Sequence, residues 1–103
     1  QHELYISSIT IAELEYGIEK SQFKERNKLA LMKFLAPFKI LNFEDNHAIT
    51  YGKIRATLEE KGTIIGSMDL LIAAQALAEK ATVVTNNTKE FSRIEKLKIE
   101  NWI

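Results

Sequence analysis

Residues 68–74 read Met-Asp-Leu-Leu-Ile-Ala-Ala, a helix-forming run that is apolar almost all round. A helix without a polar face has no stable place at a surface, so it should lie buried against a sheet, with Ser67 as its cap. The flanking sequence supplies the strands. Leu4-Tyr5-Ile6, bounded by Ser7-Ser8, suits a short buried strand, and residues 39–43 alternate polar and apolar. Thr82-Val83-Val84-Thr85 is a β-branched strand, Asn86-Asn87-Thr88 a turn, and residues 97–99 a last short strand before Trp102.

Three more helices fall between these strands. Thr10 with Glu13 three residues on forms a capping-box pattern, and Ile11, Leu14 and Ile18 share one side of the helix that follows. A second helix over residues 23–35 carries Phe23, Ala30, Leu31, Phe34 and Leu35 as a stripe and ends at Pro37. Asp45 caps a third, which runs to Lys61 and is closed by Gly62. Strands alternating with helices predict an α/β fold on a mostly parallel sheet. At 103 residues the chain has room for one domain, 1–103, and no repeat or linker divides it.

Composition removes several function classes. There is no cysteine, which excludes disulfide frameworks, zinc–thiolate sites and thiol nucleophiles. Fourteen basic residues balance fourteen acidic ones, so any grip on nucleic acid must be local. No apolar run has the ~18 residues of a membrane span, and a cytoplasmic location without membrane contact is the expectation.

Ligands in open parallel sheets bind beyond the carboxyl ends of the strands, where helices begin. Glu13, Asp69 and the segment Thr85-Asn86-Asn87-Thr88-Lys89-Glu90 fall at that edge. Acids gathered there are costly unless protonated or bound to a cation. Oxygen donors without His or Cys select a hard ion, Mg²⁺ or Mn²⁺. The bland alternatives are real: an acid in a first helical turn is favoured by the macrodipole, and Asn-Asn is commonly a turn. His2 and His47 are isolated and expected at the surface, Arg55 should lie along its helix beside Tyr51, and Lys89 and Arg93 read as solvated charges.

Thr10-Ile11-Ala12-Glu13-Leu14-Glu15-Tyr16-Gly17, then Gly66-Ser67-Met68-Asp69-Leu70-Leu71-Ile72-Ala73-Ala74, then Val84-Thr85-Asn86-Asn87-Thr88-Lys89-Glu90-Phe91 occur in this order, with Glu100-Asn101-Trp102 closing the chain. Together they resemble VapC toxins, the PIN-domain ribonucleases of type II toxin–antitoxin systems. The resemblance implies a PIN-like doubly wound, mostly parallel sheet flanked by helices. It implies an acidic cluster that binds Mg²⁺, RNA cleavage by a metal-activated water, tRNA (initiator tRNA above all) as substrate, and inhibition by a VapB antitoxin. Glu13 matches the family's second acid, Asp69 its third and Glu90 best its fourth, with Asn87 and Thr85 as supporting polar groups. Gly17 would leave room near Glu13.

One departure stands out. The family begins with a strand ending in Asp-Thr-Asn, whose Asp is the first metal ligand, and that motif is absent here. The chain is therefore expected to lack the family's first strand and to be inactive or nearly so as it stands. Two other functions compete: a non-catalytic module that still binds antitoxin, and a housekeeping PIN nuclease of RNA processing. The apolar stripe of residues 23–35 and the preceding helix predict a homodimer or an antitoxin segment laid between these helices. Restoring a strand that ends in Asp-Thr-Asn should bring Mg²⁺-dependent cleavage, and Asp69→Asn in that protein should abolish it.

Overall fold

The computed structural model describes residues 4–85 and 87–101. His2, Asn86 and Trp102 lie outside the described residues. The chain divides into two compact units, residues 1–42 and 43–103.

The first unit contains β1 (Tyr5–Ser7), α1 (Ser8–Lys20), α2 (Lys24–Leu35) and β2 (Lys39–Leu41). β1 and β2 pair in parallel, with Tyr5 opposite Lys39 and Ser7 opposite Leu41. The start of α1 falls earlier than Thr10. Ser7 is the cap, its Oγ accepting the Ile9 N–H at 3.0 Å. Thr10 is thereby inside the helix and its pairing with Glu13 is not a cap. A serine at the strand end meets the first orphan N–H groups before Thr10 can. β1 is also not buried as expected: Leu4 and Tyr5 are 41% and 50% exposed. A two-stranded pair covers little of either face.

α1 and α2 are joined through Ser21, whose hydroxyl donates to the Ile18 carbonyl and accepts from the Asn27 amide. The ion pairs Lys28–Glu15 and Lys24–Glu19 link the two helices on the solvent side. Exposed pairs of this kind contribute at most about 1 kcal/mol each. Leu31 is the buried residue of this pair; Phe23, Phe34, Leu14 and Tyr16 remain exposed.

The second unit contains α3 (Asp45–Lys61), α4 (Ser67–Glu79), β3 (Thr82–Val84), α5 (Thr88–Phe91) and β4 (Lys98–Glu100). β3 and β4 are parallel, Val83 facing Ile99. The run that reads as apolar all round is buried only in part, Met68 being 43% exposed and Leu71 and Ile72 half-buried. Leu70 is 3% exposed, and Ala73 and Ala74 are fully covered. Ile54 and Leu58 of α3, Val83 of β3 and Phe91 of α5 complete this core. α3 stops where the sequence says it should, at Gly62, whose φ of 70° is the left-handed cap that glycine adopts without strain. α4 is capped one residue early, at Gly66, so Ser67 is the first helical residue and offers no cap hydrogen bond.

His47 corrects the expectation of a surface histidine, being fully buried at the start of α3. Its Nδ1 accepts the Glu44 N–H at 2.9 Å, and its Nε2 lies 2.7 Å from Glu79 Oε2 at the far end of α4. An Nδ1 that accepts fixes the proton on Nε2, which donates to the carboxylate. The ring therefore caps α3 and ties it to α4. The hydrogen bond from His47 holds the Glu79 carboxyl below its ordinary value. A lowered carboxyl stabilises the fold above its unfolded pKa, and that contribution is lost as pH falls through the lowered value. His47→Ala should cost about 2–4 kcal/mol in urea unfolding, combining a cavity with loss of the acceptor for the Glu44 N–H. Glu79→Gln keeps an acceptor for Nε2 and should cost clearly less than His47→Ala in the same measurement. Equal losses would contradict this tautomer.

Candidate metal centre

Packing of α4 fixes the position of Asp69, which sits in that helix's first turn and is half-buried. Its neighbours arrive from the far end of β3. Alternating burial along β3 puts Val83 into the core, and the chain then turns at Thr85, whose Oγ1 accepts the Asn87 N–H at 2.9 Å. This local turn aims the Asn87 amide at Asp69, donating to Oδ2 at 3.0 Å. One residue after Glu90, Phe91 is pinned in the core at 3% exposure, which anchors the single turn of α5. Glu90 is thus directed toward the start of α4, where its Oε1 accepts the Gly66 N–H at 2.8 Å. The carboxylate serves an orphan donor of α4 that Ser67 does not.

Asp69 and Glu90 lie close enough for the Glu90 charge to disfavour the charged form of Asp69. Burial pushes the Asp69 carboxyl above its ordinary value. The Asn87 amide opposes that shift, while the charge and hydrogen bond of Glu90 add to it. All donors in the cluster are oxygens or the Asn87 amide. Carboxylate oxygens without imidazole or thiolate suit a hard divalent ion such as Mg²⁺ or Mn²⁺, and a cation would offset the repulsion between the two acids. On those grounds the residues fit the metal implied by the resemblance.

Three of the expected site residues, Asp69, Asn87 and Glu90, meet directly, and Thr85 shapes the turn that brings Asn87 in. Glu13 belongs to the other unit, where it is exposed on α1. It lies beyond the first turn of that helix, which contains no acid, so capping does not account for it. Gly17 faces open space. Among the described residues, no group of three or more His, Cys, Asp or Glu side chains stands ready to hold a metal ion. Arg93 is not merely solvated as expected: its Nη1 donates to the Ile64 carbonyl at 2.7 Å. No pattern in the sequence points to that acceptor, a backbone group 29 residues away.

Residues 1–97 match the PIN-domain family. The chain is 54% identical over 97 residues to Ribonuclease VapC2 of Rickettsia felis, covering 94% of this chain and 72% of the relative. It is 45% identical to the tRNA(fMet)-specific endonuclease VapC of Salmonella typhimurium, covering 94% and 74%. In three dimensions it superposes with a TM-score of 0.92 on a chain in the crystal structure of VapBC2 from Rickettsia felis bound to a DNA fragment from their promoter. That match has 52% identity and covers 96% of this chain and 74% of the other. The PIN-type α/β fold expected from the motifs is therefore the fold of this chain, although its described strands pair as β1–β2 and β3–β4 rather than in the one doubly wound sheet expected.

The raised Asp69 carboxyl has a consequence for stability. A fold that favours the protonated acid loses that contribution as pH rises through the raised value, so near neutrality the metal-free site opposes folding. Asn at position 69 can accept from Asn87 and donate to Glu90, which removes the conflict. Asp69→Asn should raise the metal-free Tm at pH 7.5 by roughly 2–5 °C. Added Mg²⁺ should stabilise the parent protein and leave the variant unmoved. A variant that melts lower without metal would contradict this balance.

Proposed function

We propose, given that this chain belongs to the PIN-domain family as one of its VapC ribonucleases, that it is the toxin of a VapBC pair and cleaves tRNA in a reaction dependent on a divalent cation. The observation that carries the proposal is the convergence of two acids at the start of α4, Asp69 held by Asn87 and Glu90 held by the Gly66 N–H. Two carboxyls forced together have a ready physical use as a cation site and little use as a stability device. Mg²⁺ is the ion that suits them, with Mn²⁺ as its substitute. Asp69 and Glu90 would hold it, and Asn87 fixes the direction of the Asp69 carboxylate. Glu13 enters as a further acid on its motif, Thr10 to Gly17, alone.

When bound, the cation supplies neutralisation of phosphate charge and acidification of a water molecule. The chain's own groups contribute orientation. Asn87 and the Gly66 N–H each hold one carboxylate oxygen, so neither acid must be reordered when substrate arrives. A misplacement of ~1 Å at such a site can cost ~10²-fold in rate.

The partner reading rests on the first unit. Leu14 and Ile18 of α1 with Ala30, Leu31 and Phe34 of α2 line an open apolar groove of about 330 Å³. An amphipathic helix of a VapB-type antitoxin is the occupant that such a groove suits. A second copy of the chain covering exposed apolar residues nearby would make the homodimer. No helix among the described residues is long and apolar enough to cross a membrane.

The test is cleavage of tRNA by full-length protein. Mg²⁺ should support it, chelation should stop it, and Asp69→Asn or Glu90→Gln should lower kcat by at least ~10²-fold. Glu13→Gln should do the same, and antitoxin should inhibit. Cleavage that persists in chelator, or in both the Asp69 and Glu90 variants, would show that the chemistry lies elsewhere.

A further inference from the structure

The loop that Glu90 holds at Gly66 has a second side. Ile64, Ile65 and Ser67 of this loop, with Tyr51, Leu58 and Leu70, line a cavity of about 190 Å³ within the second unit. Its floor is apolar, and Leu58, Ile65 and Leu70 there are 3–5% exposed. Tyr51 lends an aromatic ring at one wall, and its hydroxyl accepts from Arg55 Nη1 at 3.1 Å. Arg55 is already neutralised by Glu59, with Nε 3.0 Å from Oε2. Arg93 is different. It is exposed, forms no ion pair among the described residues, and spends one N–H on the Ile64 carbonyl at the cavity wall. A guanidinium carries five N–H donors in a planar fork, so most remain available.

An unpaired cation beside two acids answers a specific electrostatic problem. A polyanion drawn toward Asp69 and Glu90 meets carboxylates, and one cation cannot neutralise the neighbouring phosphates as well. Arg93 follows Glu90 by three residues, and its guanidinium is held on the Ile64 carbonyl, two residues before the Gly66 N–H that binds the Glu90 carboxylate. Single-stranded nucleic acid is held by this combination: a cation on the backbone and an aromatic wall for a base.

We propose that Arg93 and the Tyr51 cavity form a subsite for the RNA nucleotide next to the scissile phosphate, with Arg93 holding its phosphate and the cavity taking its base. The subsite rests on the ribonuclease reading above. Arg93 acts as a substrate-binding residue and Tyr51 as the wall that selects for an unstacked base.

The test measures binding of a fluorescein-labelled tRNA and of a short single-stranded RNA to full-length Asp69→Asn protein across a salt series. Arg93→Gln keeps a donor for Ile64 but removes the charge. It should make the log–log salt slope shallower by about 0.7–0.9, the loss of one phosphate contact. Arg93→Lys should restore the slope. Tyr51→Leu should weaken binding at least about fivefold, the loss of one stacked base, with the slope unchanged. A lowered Tm in Arg93→Gln with an unchanged slope would mean a purely structural tether and overturn the subsite. Weaker antitoxin binding with unaltered RNA binding would assign the surface to the protein partner and overturn it equally. Failure of the ribonuclease reading is seen separately, as no Mg²⁺-dependent cleavage when Asp69 is intact.

Discussion

Burial of α4 against α3 and β3 is the constraint from which the rest of the second unit follows. Ala73 and Ala74 are fully covered, so the helix cannot rotate without driving larger side chains into a packed interior. Leu70, at 3% exposure, lies one residue beyond Asp69 and contributes roughly 1.5–3 kcal/mol by its burial. The apolar side of the first turn thus locks in place the acid beside it. Phe91 does the same for Glu90, again as the immediate neighbour in sequence. Each carboxylate of the candidate centre is positioned by an apolar residue next to it that has nowhere else to go.

Precision at the acid pair is set against stability. Burial and Glu90 both disfavour the charged form of Asp69, and the fold tolerates this because the surrounding core, the His47 bridge and the Gly62 cap hold the unit together. His47 and Glu79 join the start of α3 to the end of α4, away from Asp69 at the other end of that helix. One end of α4 is tied down by a satisfied buried polar contact. The other carries two carboxyls whose conflict a divalent cation would resolve. That division is what a metal site there would require.

Much of this was legible in the residues themselves. The all-round apolar run predicts the buried helix, Gly62 marks the end of α3, and the β-branched triplet marks β3. The order of strands and helices brings Asp69 and the segment after β3 to one edge, and the structure places Asn87 and Glu90 there against Asp69. Thr10, Asp45 and Ser67 read as caps one to three residues late, in place of Ser7, Glu44 and Gly66. Several nearby hydroxyls suit the role, and only the path of the entering backbone chooses among them. His47 and Arg93 escaped because their partners, Glu79 and the Ile64 carbonyl, lie 32 and 29 residues away. Local periodicity carries no trace of such contacts. Glu13 remains a reading of its motif, and its exposure on α1 is the structural fact that accompanies it.

The central claim is that Asp69 and Glu90 together hold a divalent cation, which favours the charged form of Asp69 that burial opposes. Calorimetric titration of Mn²⁺ into full-length protein, repeated in buffers of different ionisation enthalpy, reads both affinity and protons released. The account predicts a single site whose affinity falls, with growing proton release, as pH drops through the raised Asp69 value, and affinity at least tenfold weaker in Asp69→Asn and in Glu90→Gln. Unchanged affinity in both variants, or binding without any proton release across the pH range where Asp69 titrates, would contradict it.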